Sequence, residues 1–245
     1  MKNNLIYEDE CLDDLELDNL MIIQKQSGYK FSTDSVLLAN FAKIKRNEVY
    51  ADLCSGSGVV AILAHYKNNP KKTYAVELQK TVAEMANRSM KYNELDINVI
   101  NDDIKNLHNT LGYESLDVIT INPPYNVIGE ISKNEQIALS THEIAINLSE
   151  IAFFCSKILK FGGRIYMVHR ADRLVDIFYE FRKNNLEPKV LRVVFPKLSK
   201  EPNLVLIEAK KGAKQGLKIL NPLILNNEDG TETDELKEIY CRKNN

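Results

Sequence analysis

Apolar and polar positions come in alternating blocks along most of this chain. The run Val49-Tyr50-Ala51-Asp52-Leu53-Cys54 is short and almost wholly apolar, and a glycine-bearing turn follows it. Such a run, bounded by turn residues, predicts a strand buried on both faces. The segment 58–67 then reads as a helix. The same beat recurs as strand 72–77 and helix 79–93, a short strand 97–100, and strand 116–121. Helix 142–160 leads into strand 163–169, helix 172–184 into strand 188–195, and a last strand covers 203–209. Strands alternating with helices predict a parallel sheet covered on both sides. Between the last two strands, Pro196 to Pro202 leave no room for a helix, so these strands should form a hairpin. The expected fold is α/β: a doubly wound, mostly parallel seven-stranded sheet with a terminal antiparallel hairpin. Upstream, 15–31 reads as an irregular or extended lead-in. Ser32-Thr33-Asp34 offers capping side chains to a short helix running to Phe41. The expected organisation is an N-terminal extension over 1–45, a core domain over 46–225 and an acidic tail over 226–245.

Composition narrows the class without naming the chemistry. Of 245 residues, 44% are apolar and 27% charged, as in an ordinary folded domain, and the net charge is −2. Charge is uneven, however. Glu8 to Asp18 holds seven acids and no base, whereas Lys189 to Lys218 holds eight Lys or Arg against two Glu. That basic stretch is the one plausible footprint for a polyanion, with Lys189, Arg192, Lys197 and Lys200 as candidate contacts and Arg170 nearby. Cys11, Cys54, Cys155 and Cys241 form no CxxC pair, and the four His are scattered, so no metal site is expected. No run reaches membrane-spanning length, and the start lacks a signal-type apolar stretch. The expected location is the cytoplasm.

Asn122-Pro123-Pro124-Tyr125 follows the strand 116–121 at its carboxyl end, where open α/β sheets place their ligands. The turn presents an amide oxygen, carbonyls outside any helix, and a flat ring. Such a set can accept both hydrogens of an exocyclic amino group and stack on the ring carrying it. Asp52 to Gly58 supplies a second constellation. Small residues at Ser55, Gly56 and Gly58 let backbone approach a ligand. An acid at Asp52 disfavours a pyrophosphate and suits a cationic amino acid moiety. Glu77, followed by Leu78, ends the next strand, where an acid accepts from ribose hydroxyls.

The segment from Asp52 to Gly58 resembles the first motif of S-adenosylmethionine-dependent methyltransferases, Asp-x-Gly-x-Gly-x-Gly, with Cys54 in place of the first glycine. Seven strands with a terminal hairpin are the arrangement of the same class I, Rossmann-like enzymes. The resemblance implies S-adenosyl-L-methionine as cofactor. It also implies that Asp103, with Asp102 as a near alternative, accepts from the adenine amino group while Ile104 packs on the ring. Asn122 to Tyr125 resembles the fourth motif of amino-group methyltransferases. Further segments extend the likeness: Phe31-Ser32-Thr33-Asp34-Ser35-Val36-Leu37-Leu38-Ala39, His142-Glu143-Ile144, Met167-Val168-His169-Arg170, Phe195-Pro196-Lys197 and Asn221-Pro222-Leu223-Ile224. Together, from about Ile22 to Leu225, they resemble the bacterial valine-tRNA adenine-N6-methyltransferases. That family implies a tRNA partner, methylated at adenosine 37 of the anticodon loop. It puts Thr33 and Asp34 at the cofactor mouth, on a helix that caps it, with Lys30 close by to meet RNA. A glutamine methyltransferase acting on a release factor would share the fourth motif, whereas an rRNA guanine methyltransferase often shows Phe in it. Each usually carries an added substrate domain. A non-catalytic binding module would not need the motif at all.

Overall fold

The computed structural model describes residues 5–27, 31–124 and 147–241. The core sheet is built from β3 (Val49–Leu53), β4 (Lys72–Glu77), β5 (Ile97–Asn101), β6 (Leu116–Ile121), β7 (Leu159–Arg170), β8 (Leu186–Phe195) and β9 (Leu204–Lys211). The seven strands expected from the sequence are all present. Two short strands, β10 (Lys218–Ile219) and β11 (Leu223–Ile224), both pair with β8 and lengthen its outer edge. Across the sheet the order is β10-β8-β9-β7-β6-β3-β4-β5. Among the described strands of this sheet, only β9 is antiparallel to its neighbours, and it lies between β7 and β8.

Helices cover both faces. α1 (Thr33–Phe41), α2 (Val59–Asn68) and α3 (Lys80–Tyr92) bury Leu38, Ile62 and Met90 against one face. α4 (Leu107–Leu111), α5 (Leu148–Ile158) and α6 (Leu174–Lys183) bury Leu107, Ile151 and Phe181 against the other. Each fully buried Leu or Ile contributes about 1.5–3 kcal/mol, so the two layers lock the sheet as one body. Asn147 starts α5 with a complete capping box: its side chain accepts from Glu150 N–H while Glu150 reaches back to the Asn147 amide. The expected helix start at 142 lies outside the described residues. The helix stops at Ile158, short of 160, because Leu159 already pairs with Leu116 in the sheet.

The expected lead-in over 15–31 contains more order than its sequence suggests. β1 (Glu10–Asp14) and β2 (Met21–Lys25) form a separate antiparallel hairpin. It docks on α3 through Glu10, whose carboxylate takes a two-pronged contact from Arg88. Asn93 adds a bond to each side of the Met21 peptide, at 2.8 and 2.7 Å. The acidic segment after Asn226 also folds back. Its α7 (Asp234–Ile239) buries Leu236 and Ile239 in the same core as α1. Ser32 does stand at the N-cap of α1, but its side chain makes no capping bond.

Candidate active site

Strand register brings three candidate features into line. Leu53 lies beside both Ile121 and Val76, and Glu77 lies beside Asn101. One residue beyond the first pair, Asn122 leaves β6 next to Cys54 leaving β3. Neighbouring strands are about 4.8 Å apart, so the Asn-Pro-Pro turn, the glycine turn and Glu77 share one carboxyl edge. Pro123 is buried and Pro124 exposed. Tyr125, Lys30 and His142 lie outside the described residues.

The glycine turn is tightly specified. Cys54 adopts φ +54°, the left-handed conformation that a glycine would take without strain. The cysteine therefore keeps the turn's shape at a cost of about 1–2 kcal/mol. Burial pushes its thiol well above the usual range, so it stays protonated. Gly56 (φ +55°) has no heavy atom within 4 Å of where a Cβ would stand, a cradle open to a ligand. Gly58 (φ +97°) is different: a Cβ there would lie 2.4 Å from Met90 Cε, so this glycine lets α2 pack on α3.

The three expected acids play unequal parts. Asp52 is 1% exposed. Its Oδ1 accepts from Thr120 Oγ1 at 2.7 Å, and Thr120 in turn meets Tyr50 Oη at 2.7 Å. Its Oδ2 and the buried Ser55 Oγ have no well-formed hydrogen bond among the described residues. Burial pushes the Asp52 carboxyl up to about 7, against the lowering pull of the Thr120 hydroxyl. Glu77, also buried, accepts from the Gly56 and Gln79 N–H groups, each at 2.9 Å, and so ties the glycine turn to its own strand end. Leu78 beside it is 48% exposed. Asp103 accepts from Lys105 N–H at 2.9 Å, shaping the loop that buries Ile104 at 6% exposure.

Other residues at this edge carry no periodic signal in the sequence. Asn101 Nδ2 donates to the carbonyls of Glu77 and Leu78, joining the second and third acidic loops. Asn122 Nδ2 donates to Ser35 Oγ at 3.3 Å. Gln24 reaches Ser57 Oγ at 3.3 Å. Turned end for end, its amide donates to Asp13 and accepts from Phe31 N–H at 3.0 Å each. Either way the N-terminal hairpin bears on the site. Thr33 Oγ1 accepts from Tyr240 Oη at 3.3 Å, and Asp34 lies in the first turn of α1.

The basic set is split. Arg170, at the end of β7, lies level with Leu204 and Val194 across the sheet, and Lys197 and Lys200 follow in the β8–β9 connection. All three stand at the same carboxyl edge as Asn122. Arg170 is paired with Asp172, and Lys197 Nζ donates to the Glu228 carbonyl. Arg192 lies lower on β8 and is paired with Glu235 of α7. Lys189 sits near the opposite end of β8, about 20 Å from Phe195 at strand spacing, and donates to the Lys214 carbonyl. His169 is buried. Burial and then Arg173 lower its pKa to about 4, so it is neutral near pH 7. Among the described residues no group of His, Cys, Asp or Glu could hold a metal ion, and no helix is long and apolar enough to cross a membrane.

Comparison with known proteins gives this geometry a family. The chain is 26% identical over 214 residues to the tRNA1(Val) (adenine(37)-N6)-methyltransferase of Aeromonas hydrophila, spanning 84% of this chain and 86% of that one. It is 25% identical to the enzyme of the same name from Shewanella woodyi, spanning 85% and 89%. Among solved structures it resembles one described as a predicted O-methyltransferase from Agrobacterium tumefaciens. There the TM-score is 0.71 at 19% identity, covering 85% of this chain and 96% of that one. M. jannaschii TYW2, solved in complex with AdoMet, gives a TM-score of 0.57 at 18% identity over 83% and 86%. The model of the methyltransferase small domain matches residues 27–174, more than half of the sequence, and the chain belongs to that family.

Proposed function

We propose that this chain is a cytoplasmic enzyme that transfers the methyl group of S-adenosyl-L-methionine to the exocyclic amino nitrogen of an adenosine in tRNA, at position 37 in the anticodon loop of valine tRNA. The observation carrying this reading is the alignment of Asn122 with the glycine turn on adjacent strands. It sets the Asn-Pro-Pro turn beside the open space at Gly56, which supports an amine site next to a cofactor. When bound, S-adenosyl-L-methionine supplies a methyl on a sulfonium sulfur, which an amine lone pair can take as the C–S electron pair stays with sulfur.

The residues fit that cofactor. Gly56 leaves space for close backbone approach. Glu77 uses one lone pair of each oxygen on an N–H group, and a carboxylate keeps further sites for ribose hydroxyls. The buried Asp52 Oδ2 and Ser55 Oγ, neither with a well-formed hydrogen bond, suit an amino acid moiety. Leu78, Asp103 and Ile104 would hold the adenine. Thr33 and Asp34 on α1 would flank the mouth.

On the substrate side, an adenine amine is a poor nucleophile because its lone pair is delocalised into the ring. The Asn122 amide oxygen and the Pro123 carbonyl would accept its two hydrogens. They would aim the lone pair and stabilise the positive charge that develops on nitrogen. Tyr125 would stack on the base. Holding both reactants in one geometry supplies much of the rest. The spare proton can leave to water, so His142 is not required as a base.

Labelled cofactor offered to unmodified tRNA and to a released glutamine peptide should mark the tRNA. Asn122→Ala should abolish turnover while leaving cofactor affinity nearly unchanged, since the contact strengthens only as charge develops. Near-normal kcat in that variant would remove Asn122 from the mechanism.

A further inference from the structure

We propose that Ser35 is a positioning residue for Asn122, holding that amide at the carboxyl edge where it meets the substrate amine; the assignment rests on the methyl-transfer reading above. Ser35 Oγ lies 3.3 Å from Asn122 Nδ2 across 87 residues of sequence. That contact ties the Asn122 amide to α1 and limits the side-chain rotation that would carry its oxygen away from the amine. Accepting from Nδ2 also polarises the amide and enriches its oxygen, which favours it as positive charge grows on the substrate nitrogen.

The platform under Ser35 is rigid. α1 is anchored by Val36, Leu37, Leu38 and Ala39, each 3% exposed or less. Phe41 at its far end packs edge-on against Tyr166 at 5.8 Å. Ser35 itself is half-buried on the first turn and belongs to none of that packing. Its hydroxyl is therefore spare to the fold and committed to the amide. The sequence marks Ser35 only as part of a helix start. Its partner follows a different strand, so no local pattern could have paired them.

The test uses the whole chain with unmodified total tRNA and saturating cofactor. Ser35→Ala should lower kcat about 3- to 10-fold, the size of one lost neutral hydrogen bond. KM for tRNA and affinity for S-adenosylhomocysteine should stay within about twofold. Ser35→Thr, which keeps the hydroxyl, should restore most of kcat. NMR of the side-chain amides should show the Asn122 NH2 pair shifting and exchanging faster in Ser35→Ala, whether or not the protein turns over. Unchanged kcat, or an unmoved Asn122 amide signal, would overturn the role of Ser35. Those outcomes leave the wider reading intact if Asn122→Ala is still inactive. Normal turnover in Asn122→Ala would instead defeat that reading, and the Ser35 role with it.

Discussion

Asp52 ends its strand with one oxygen bonded to Thr120 and the other without a well-formed partner, where water scarcely reaches. Its carboxyl is raised from 3.8 to about 7 by burial. The unfolded chain ionises first, so this group favours folding fully below about pH 4, and that contribution is lost as pH rises to about 7. The stability of Asp52→Asn relative to the parent should therefore grow between those limits, by roughly 4 kcal/mol at most. Denaturant unfolding at pH 4.5 and 7.5 checks this, and a pH-independent difference would show that Asp52 is not raised. The acid positions themselves were legible, because strand ends recur at regular intervals. Thr120, Asn101 and Ser35 were not. Each is a small polar side chain whose importance comes from one partner brought near only by folding. Cys54 was legible as a missing glycine, but its left-handed φ of +54° is visible only in the turn.

At the scale of elements, the N-terminal hairpin was the main surprise. The acidic run from Glu8 to Asp18 holds no base of its own, yet Glu10 is 5% exposed. Its burial depends on Arg88, 78 residues away. Arg88, backbone donation from Tyr7 and the Lys25 ammonium hold the Glu10 pKa at about 2, against the pull of burial. With its folded value below the unfolded one, Glu10 stabilises the protein above about pH 4.5 and loses that effect as pH falls through 2. Arg88→Ala would leave the buried carboxylate only Lys25 and the Tyr7 N–H, and should cost about 3 kcal/mol at pH 7. The loss should shrink below pH 4, where Glu10 can take up a proton. An equal loss at both pH values, read by chemical denaturation, would mean that the pair does not anchor the hairpin. The helix α7 escaped notice for a related reason. It is six residues long and mostly charged, and Leu236 and Ile239 become core residues only against α1. The seven main strands, by contrast, announced themselves through short apolar runs bounded by turn residues, which survive whatever their neighbours are.

At the scale of the molecule, basic side chains proposed to meet RNA gather at one edge of the sheet. Arg170, Lys197 and Lys200 share the carboxyl edge with Asn122, whereas Lys189 does not. Sequence proximity grouped Lys189 with the others, but a strand running across the sheet carries near neighbours to opposite ends. Removing Lys197 and Lys200 together should weaken tRNA binding at low salt and reduce the salt slope by about 1.5, with cofactor affinity unchanged. Lys189→Ala should do neither, and an equal effect there would return the basic stretch to a diffuse, solubilising role. An adenosine in a single-stranded loop can be splayed out at little cost, whereas a paired base needs a few kcal/mol of unstacking and unpairing. The central claim is therefore best tested by incubating the protein with S-adenosyl-L-methionine and unmodified valine tRNA, then mapping the product by mass spectrometry. N6-methyladenosine should appear at position 37, with no methylation when that adenosine is replaced by guanosine. Preferential methylation of duplex DNA, or of a glutamine peptide, would contradict it.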